Sequence, residues 1–123
     1  MALELFNSTL ADNQPSDAPG AVAVSDSDKL PSIITRNLLL WNNSADGDGL
    51  VCLGCTLGSD SLQGEDPLFV VADGSRVDGA DYRIRSSSPA RNGAKILSIL
   101  EQWDFFGNDR GGGPWDSGAH EFQ

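Results

Sequence analysis

The sequence predicts an all-β protein that folds as a short right-handed parallel β-helix, a solenoid of two to three turns, closed by an irregular C-terminal cap that contains one short helix. Three observations favour this fold class. A segment of short strands and polar turns recurs 30 residues further along the chain. Asparagines stand at equivalent positions in both copies. Helical periodicity is confined to one segment of about ten residues.

The internal repeat aligns residues 3–13 with residues 33–43 at an offset of 30 residues. The apolar segments that follow, residues 20–24 and 49–53, align at an offset of 29. Matched positions in the first pair are Leu3 with Ile33, Asn7 with Asn37, Leu10 with Leu40, and Asn13 with Asn43. Each copy contains a strand pattern, a polar turn and a second short strand pattern. A period of this length is typical of solenoids.

Stacked turns of such a solenoid would bring the matched asparagines into contact. Neighbouring strands lie about 4.8 Å apart, so equivalent side chains stack on one another. Asparagine suits the corners because it tolerates left-handed backbone angles and its amide can hydrogen-bond to the amide of the next layer. We therefore predict two asparagine ladders, Asn7 on Asn37 and Asn13 on Asn43. The alternative is that these are unrelated loop asparagines.

The length of 123 residues is typical of a single domain. We expect residues 1–65 to form the solenoid turns and residues 66–123 to form the final turn and the cap. The predicted helix runs from Ala94 to Trp103, with its apolar side chains on one face. A helix this short is marginal alone, so we expect it to pack over an open turn of the solenoid, with Trp103 in the core.

The acidic composition argues against nucleic acid as a partner. The chain has 8 Lys and Arg against 18 Asp and Glu, a formal net charge of −10. A phosphate backbone would be repelled by this field. No apolar segment is long enough to span a bilayer, and the first residues lack the pattern of a signal peptide. We therefore predict no membrane insertion.

The two cysteines, Cys52 and Cys55, form a single CxxC motif, and His120 is the one histidine. A structural zinc site needs four such ligands, which this sequence does not supply. A thioredoxin-like motif would open a helix, and no helical pattern follows Cys55. The simplest interpretation is two small core or turn residues, and their redox state stays open.

The turn at residues 42–47 fits the first positions of a calcium-binding loop. The twelfth position should be a bidentate Glu, but it is Leu53. A polar turn is the simpler interpretation. We predict no cofactor, with Asp46 and Asp48 as candidate ligands for a weak surface calcium ion only.

Several motifs resemble one family. Residues 66–70 and 81–90 resemble the DPLFV…DYRL…GSPA segment of secreted bacterial right-handed parallel β-helix proteins of the pectate-lyase-like superfamily. Residues 104–110 and 112–122 are similar to the closing motif DFDGNPR…GGPDIGAYEF of the same proteins. Residues 37–43 are similar to their NSIFWGN repeat. These motifs are specific to the architecture and carry no activity of their own.

The sequence departs from the family's closing motif at four positions. Phe106 replaces the second Asp of DFDG, and Asp109 replaces the Pro. Ser117 and His120 replace the Ile and the Tyr of DIGAYEF. These replacements predict that the tail packs differently from the family pattern or loses a polar contact.

The resemblance implies a non-catalytic structural or carbohydrate-contacting terminal module of an exported or surface β-helix protein. Two alternatives stay open: a remnant or part of a polysaccharide lyase or hydrolase, and a small standalone module that self-associates. The first solenoid turn would expose an unpaired strand edge. We expect upstream β-helix turns or a second copy of the chain to cover it. The resemblance also implies an extracellular or cell-surface location.

Candidate ligand-binding residues are few. Trp115 lies in a Gly-Gly-Pro-Trp loop and could offer an aromatic platform to a polysaccharide. Arg83 and Arg85 stand two apart in a strand pattern and share one face. A lyase would need a base and a cation beside a uronate carboxylate, and Arg83, Arg85 and Lys95 are the groups to test for that role. No catalytic motif maps onto them, so no catalytic residue is predicted.

Overall fold

A computed structural model of the protein describes residues 2–13, 32–43, 57–71, 81–97 and 102–123. Within these ranges the fold is all-β, with seven short strands and no helix, and hence no helix that could cross a membrane. The strands are β1 (Ala2–Phe6), β2 (Thr9–Ala11), β3 (Ser32–Arg36), β4 (Leu39–Trp41), β5 (Leu62–Gln63), β6 (Phe69–Val71) and β7 (Asp81–Ile84).

The first five strands form two parallel sheets. β1 pairs with β3, and Ala2 lies opposite Ser32. β2 pairs with β4, and Thr9 lies opposite Leu39, so both pairs keep an offset of 30 residues. β4 also pairs with β5, where Leu39 lies opposite Leu62. The sequence repeat and the strand register therefore coincide across the first two layers.

The leucines around the start of β4 lie at the centre of the core. Residues 38–40 are all buried, as expected for a strand segment covered on both faces. Leu39 packs in one apolar cluster with Phe69, Ile84 and Ala90. The cluster thus joins the parallel strands to the C-terminal half of the chain.

The strands β6 and β7 pair antiparallel, with Phe69 opposite Ile84. The ring of Phe69 meets the ring of Tyr82 edge to face, with their centroids 5.1 Å apart. The segment expected to form the final solenoid turn and cap therefore includes an antiparallel pair as well as irregular loops.

The C-terminal loop at residues 117–119 crosses all three layers of the parallel strands. Its hydrogen bonds run from Gly118 N to Asn37 O at 2.8 Å, from Ala119 N to Thr9 Oγ1 at 3.0 Å, and from Ser117 Oγ to Asp60 O at 3.0 Å. Gly118 has a φ of 98°, and a Cβ atom on it would lie 2.6 Å from Thr9 Oγ1. Only glycine fits this approach of the loop to the strands.

The helix predicted from Ala94 to Trp103 is wrong for the part that the structure describes. Ala94 forms an antiparallel bridge with Trp115 and donates its N–H to that residue's carbonyl at 2.8 Å. Trp103 bridges Asp109 and is 60% exposed, so it does not pack in the core. Residues 98–101 lie outside the described residues. Because a short helix is marginal alone, long-range main-chain pairing replaces the local hydrogen bonds.

Asp104 organises the loop that follows. Its carboxylate accepts hydrogen bonds from the main-chain N–H groups of Phe106, Asn108 and Glu121 and from Asn108 Nδ2. Burial by itself would raise the pKa of Asp104, but these donors outweigh it and the pKa is lowered.

A second buried contact holds the end of the chain. The guanidinium of Arg110 lies 3.3 Å from Glu121 and donates to the carbonyls of Asp116 and Gly118. Burial lowers the pKa of Arg110 and raises the pKa of Glu121. Both shifts show that desolvation outweighs the attraction within the pair, as is common for buried ion pairs. These contacts tie the Arg110 side chain to the loop at residues 116–121.

Candidate functional site

Stacked polar side chains lie at two corners of the repeat, one between β1 and β2 and between β3 and β4, and the other directly after β2 and β4. Asn7 and Asn37 both adopt left-handed backbone angles, with φ of 46° and 55°. Asn37 Nδ2 donates to Asn7 Oδ1 at 2.8 Å. Asn13 Nδ2 donates to Asn43 Oδ1 at 3.0 Å. The two pairs aligned by the sequence repeat are therefore in hydrogen-bond contact.

A third stacked pair was not anticipated from the sequence. Asn42 Nδ2 donates to Asp12 Oδ1 at 2.6 Å, and both residues have left-handed backbone angles. The signal was present, because these residues also align at an offset of 30 and belong to types that tolerate such angles. The amides of Asn42 and Asn43 are thus engaged in the stack, while Asp46, Asp48 and the rest of the calcium-like loop lie outside the described residues.

The ladder that contains Asn37 ends on main chain. Lys95 N donates to Asn37 Oδ1 at 2.9 Å, and Asn37 Nδ2 donates to Lys95 O at 2.8 Å. Asn37 is fully buried. The N–H and C=O of Lys95 thus pair with both polar atoms of the Asn37 side chain. The side chain of Lys95 itself is exposed.

A cleft of about 790 Å³ opens beside the stack. Its walls are the strand β2, the strand β7 and the C-terminal loops. The residues that carry its chemistry are Asn13, Asp81, Tyr82, Arg83, Phe105, Phe106 and His120. The lining is apolar for the most part, with a few polar groups at one side, as is usual in ligand-binding clefts.

An ion pair forms the polar side of the cleft. Arg83 Nε donates to Asp81 Oδ1 at 2.9 Å, and Arg83 Nη2 donates to Asp81 Oδ2. The guanidinium hydrogen bond lowers the pKa of Asp81 to about 2, and the carboxylate raises the pKa of Arg83. Nearby, Tyr82 donates its hydroxyl to Asp12 Oδ2 at 2.9 Å. The side chains of Asp81 and Arg83 are therefore both charged throughout the neutral pH range.

Two exposed phenylalanines form the aromatic side of the cleft. Phe105 is 81% exposed and Phe106 is 52% exposed, and their rings meet edge to face at 5.3 Å. Phe106 also meets the ring of His120 edge to face at 5.5 Å. Ile84 N donates to His120 Nδ1 at 3.1 Å, and burial lowers the pKa of His120. The imidazole is thereby held neutral as a hydrogen-bond acceptor.

The predicted ligand residues separate in the structure. Arg83 lines the cleft, whereas Arg85 Nη2 donates to the carbonyl of Val70 at 2.9 Å, outside it. Trp115 is 2% exposed, and its indole N–H donates to Gly111 O at 3.0 Å. Because the ring of Trp115 packs inside the cap, it does not offer the predicted aromatic platform to a ligand. The exposed aromatic side chains of the cleft are instead Phe105 and Phe106, which the sequence did not point to as ligand residues.

Comparison with known proteins gives no match to a protein-family model, to a curated protein or to a solved structure. No cluster of three or more acidic, cysteine or histidine side chains that could hold a metal ion occurs among the residues described. Cys52 and Cys55 lie outside those residues.

Proposed function

We propose that this chain is a non-catalytic terminal module of an exported or cell-surface protein, in which short turns stack as a right-handed parallel β-helix and the C-terminal loops close one end of the stack. The observation that carries this proposal is the contact between Asn37 and the peptide groups of Lys95. The location follows from the family resemblance of the sequence motifs.

The chemistry of the ladder supports a closing role for the cap. A buried amide with unpaired groups costs free energy, so the last asparagine of a stack needs a partner. Lys95 supplies both a donor and an acceptor to Asn37. No further asparagine can stack on Asn37 from that side, because the main chain already occupies the position. The loops therefore end the asparagine ladder, while β5 adds one further short parallel strand beside β4.

Lys95→Pro tests the closing role, because proline removes the N–H that donates to Asn37. We expect an unfolding free energy lower by about 1–3 kcal/mol and faster hydrogen exchange in β3 and β4. Lys95→Ala keeps the peptide groups and is the matched control. Equal exchange protection in the two variants would contradict the closing role.

Carbohydrate contact at the cleft is the second part of the proposal. Sugar rings pack their apolar faces on aromatic side chains, and charged groups hydrogen-bond to hydroxyls. Phe105 and Phe106 provide exposed rings, and the ion pair of Asp81 and Arg83 provides the polar groups. A polysaccharide, neutral or acidic, is the ligand class that this combination fits.

A pull-down with a panel of neutral and acidic polysaccharides tests this contact. We expect retention on at least one polymer, and at least a tenfold loss of affinity in Phe106→Ala, about the effect of one aromatic contact. Trp103→Ala is the matched control, because Trp103 is 60% exposed and lies outside the cleft lining. Equal losses in both variants, or retention on no polymer, would contradict the proposal.

The principal alternative is that this chain is a remnant or a part of a polysaccharide lyase or hydrolase. Arg83 is held protonated by Asp81 and is unsuited to abstract a proton. Neither Arg85 nor Lys95 lines the cleft. Ultraviolet absorbance of unsaturated uronates in the same panel would support a lyase. Concentration-dependent size of the chain would support the other alternative, a self-associating module.

A further inference from the structure

The ion pair of the cleft is built within a single strand. Asp81 and Arg83 stand two apart in β7, so their side chains lie on the same face of the strand. The main-chain N–H of Arg83 donates to Asp81 Oδ1 at 3.1 Å, and Arg83 Nε donates to the same oxygen at 2.9 Å. Arg83 Nη2 donates to Asp81 Oδ2. Three donors of one residue therefore hold the carboxylate, and the guanidinium is paired in the absence of a ligand.

Arg83 is the only permanently cationic side chain among the described residues that line the cleft. His120 is neutral there, because burial lowers its pKa and its Nδ1 accepts a hydrogen bond from the main chain. A further carboxylate, that of Asp12, accepts from the hydroxyl of Tyr82 at 2.9 Å. The single cation of the cleft lining is thus matched by the carboxylate of Asp81, and a second carboxylate lies nearby.

An acidic sugar would bind poorly to a guanidinium in this state. To take over Nε and Nη2, its carboxylate would have to displace Asp81 and then lie close to that like charge, which is unfavourable. At Nη1, which lies outside the pair, the attraction of the guanidinium is opposed by the carboxylate already bound to it. The formal net charge of −10 adds a long-range repulsion that salt screens.

A neutral sugar needs no net charge from the pair. Each hydroxyl can donate and accept, and the pair offers both an acceptor in Asp81 and a donor in Arg83 Nη1. Arg83 Cζ lies 5.9 Å from the centroid of the Phe106 ring. Hydrogen-bonding groups for hydroxyls therefore adjoin an exposed ring on which the apolar face of a sugar packs.

We propose that Asp81 is a specificity-determining residue of the cleft: by holding the guanidinium of Arg83, it makes the site select neutral polysaccharides and reject those that contain uronates. The inference rests on the proposed carbohydrate contact and names the substrate class of that site. Selection here works through a like charge set against the wrong ligand as well as through contacts to the right one.

Matched polymers that differ only in charge test the selection. Neutral glucan, galactan and mannan are each compared with the corresponding glucuronan, galacturonan and mannuronan, which carry a carboxylate in place of the hydroxymethyl group. We expect the unaltered chain to bind the neutral member of a pair at least about tenfold more tightly than the acidic member, the order of effect of one like-charge contact. This comparison needs no variant and does not depend on how a variant folds.

Three variants then assign the preference to the ion pair. Asp81→Asn leaves the guanidinium without its counter-charge and should lower the preference for the neutral member at least about tenfold. Glu65→Gln is the matched control, because it also removes one negative charge but from an exposed residue outside the cleft lining, and it should leave the preference unchanged. Adding Arg83→Gln to Asp81→Asn removes the freed cation and should abolish the gain in affinity for the acidic member.

Four outcomes would overturn the inference. Equal or tighter binding of the acidic members by the unaltered chain would do so and leave the carbohydrate contact in place. Equal effects of Asp81→Asn and Glu65→Gln would mean that net charge sets the preference. A gain in acidic affinity that survives Arg83→Gln would mean that the guanidinium plays no part. Retention on none of the six polymers would instead contradict the carbohydrate contact itself.

Discussion

Replacing Asn37 by leucine should be among the most damaging single changes in the protein. The side chain is fully buried and makes hydrogen bonds to Asn7 Oδ1, Lys95 N and Lys95 O. Leucine would leave these three groups unpaired, at about 1 kcal/mol each when partial relaxation is allowed. Its φ of 55° adds about 1 kcal/mol, because leucine disfavours the left-handed region. The expected loss is about 4 kcal/mol.

Urea unfolding followed by circular dichroism measures this loss. Asn92→Leu is the matched control, since Asn92 is exposed and has a φ of 56°, so it reports the backbone cost alone. We expect about 1 kcal/mol for the control and about 4 kcal/mol for Asn37→Leu. If the two variants lost the same free energy, the ladder would contribute nothing beyond the backbone angle, and the reasoning that ties the cap to the stack would fail.

Two further predictions concern the C-terminal loops. Gly118→Ala should lower the free energy of unfolding by at least about 2 kcal/mol, because the added Cβ would collide with the strands. The control Gly112→Ala should change it by less than about 0.5 kcal/mol, because nothing lies within 4 Å of that Cβ. Equal losses of the two variants in thermal or urea melts would contradict the close approach of the loop. Because burial lowers the pKa of His120 below 6.5, despite the opposing charges of Asp104 and Asp116, the unfolded state binds the proton more readily. Stability should therefore fall as the pH drops from about 7.5 to about 5.5, and His120→Gln should show a shallower fall in urea midpoints over that range.

The sequence indicated much of the parallel stack. The pairing of Asn7 with Asn37 followed from one offset, because equivalent residues of a repeat meet when its strands lie in register. The all-β character followed from short strand patterns separated by polar turns. The third pair, Asp12 with Asn42, was not predicted, although these residues align at the same offset.

The structure of the C-terminal half could not be predicted from the sequence in the same way. The segment from Ala94 to Trp103 has helical spacing, yet both of its ends form antiparallel bridges with residues further along the chain. Trp115 looked like a surface ring in a glycine-rich loop, but it is buried. No repeat constrains these residues, so their neighbours are set by contacts remote in sequence. The cleft has the same origin, since β2, β7 and the last loop come together only when the chain folds.

The sequence by itself thus determined the features with a local or periodic cause: acidic charge, strand-forming segments, and asparagines that tolerate left-handed angles one period apart. The tertiary structure decided which groups pair with Asn37, which aromatic rings stay exposed and which arginine enters the cleft. The physical reason is that burial and hydrogen-bond pairing depend on all partners at once. Lys95 reveals this most clearly, because only the folded chain brings its peptide groups to Asn37.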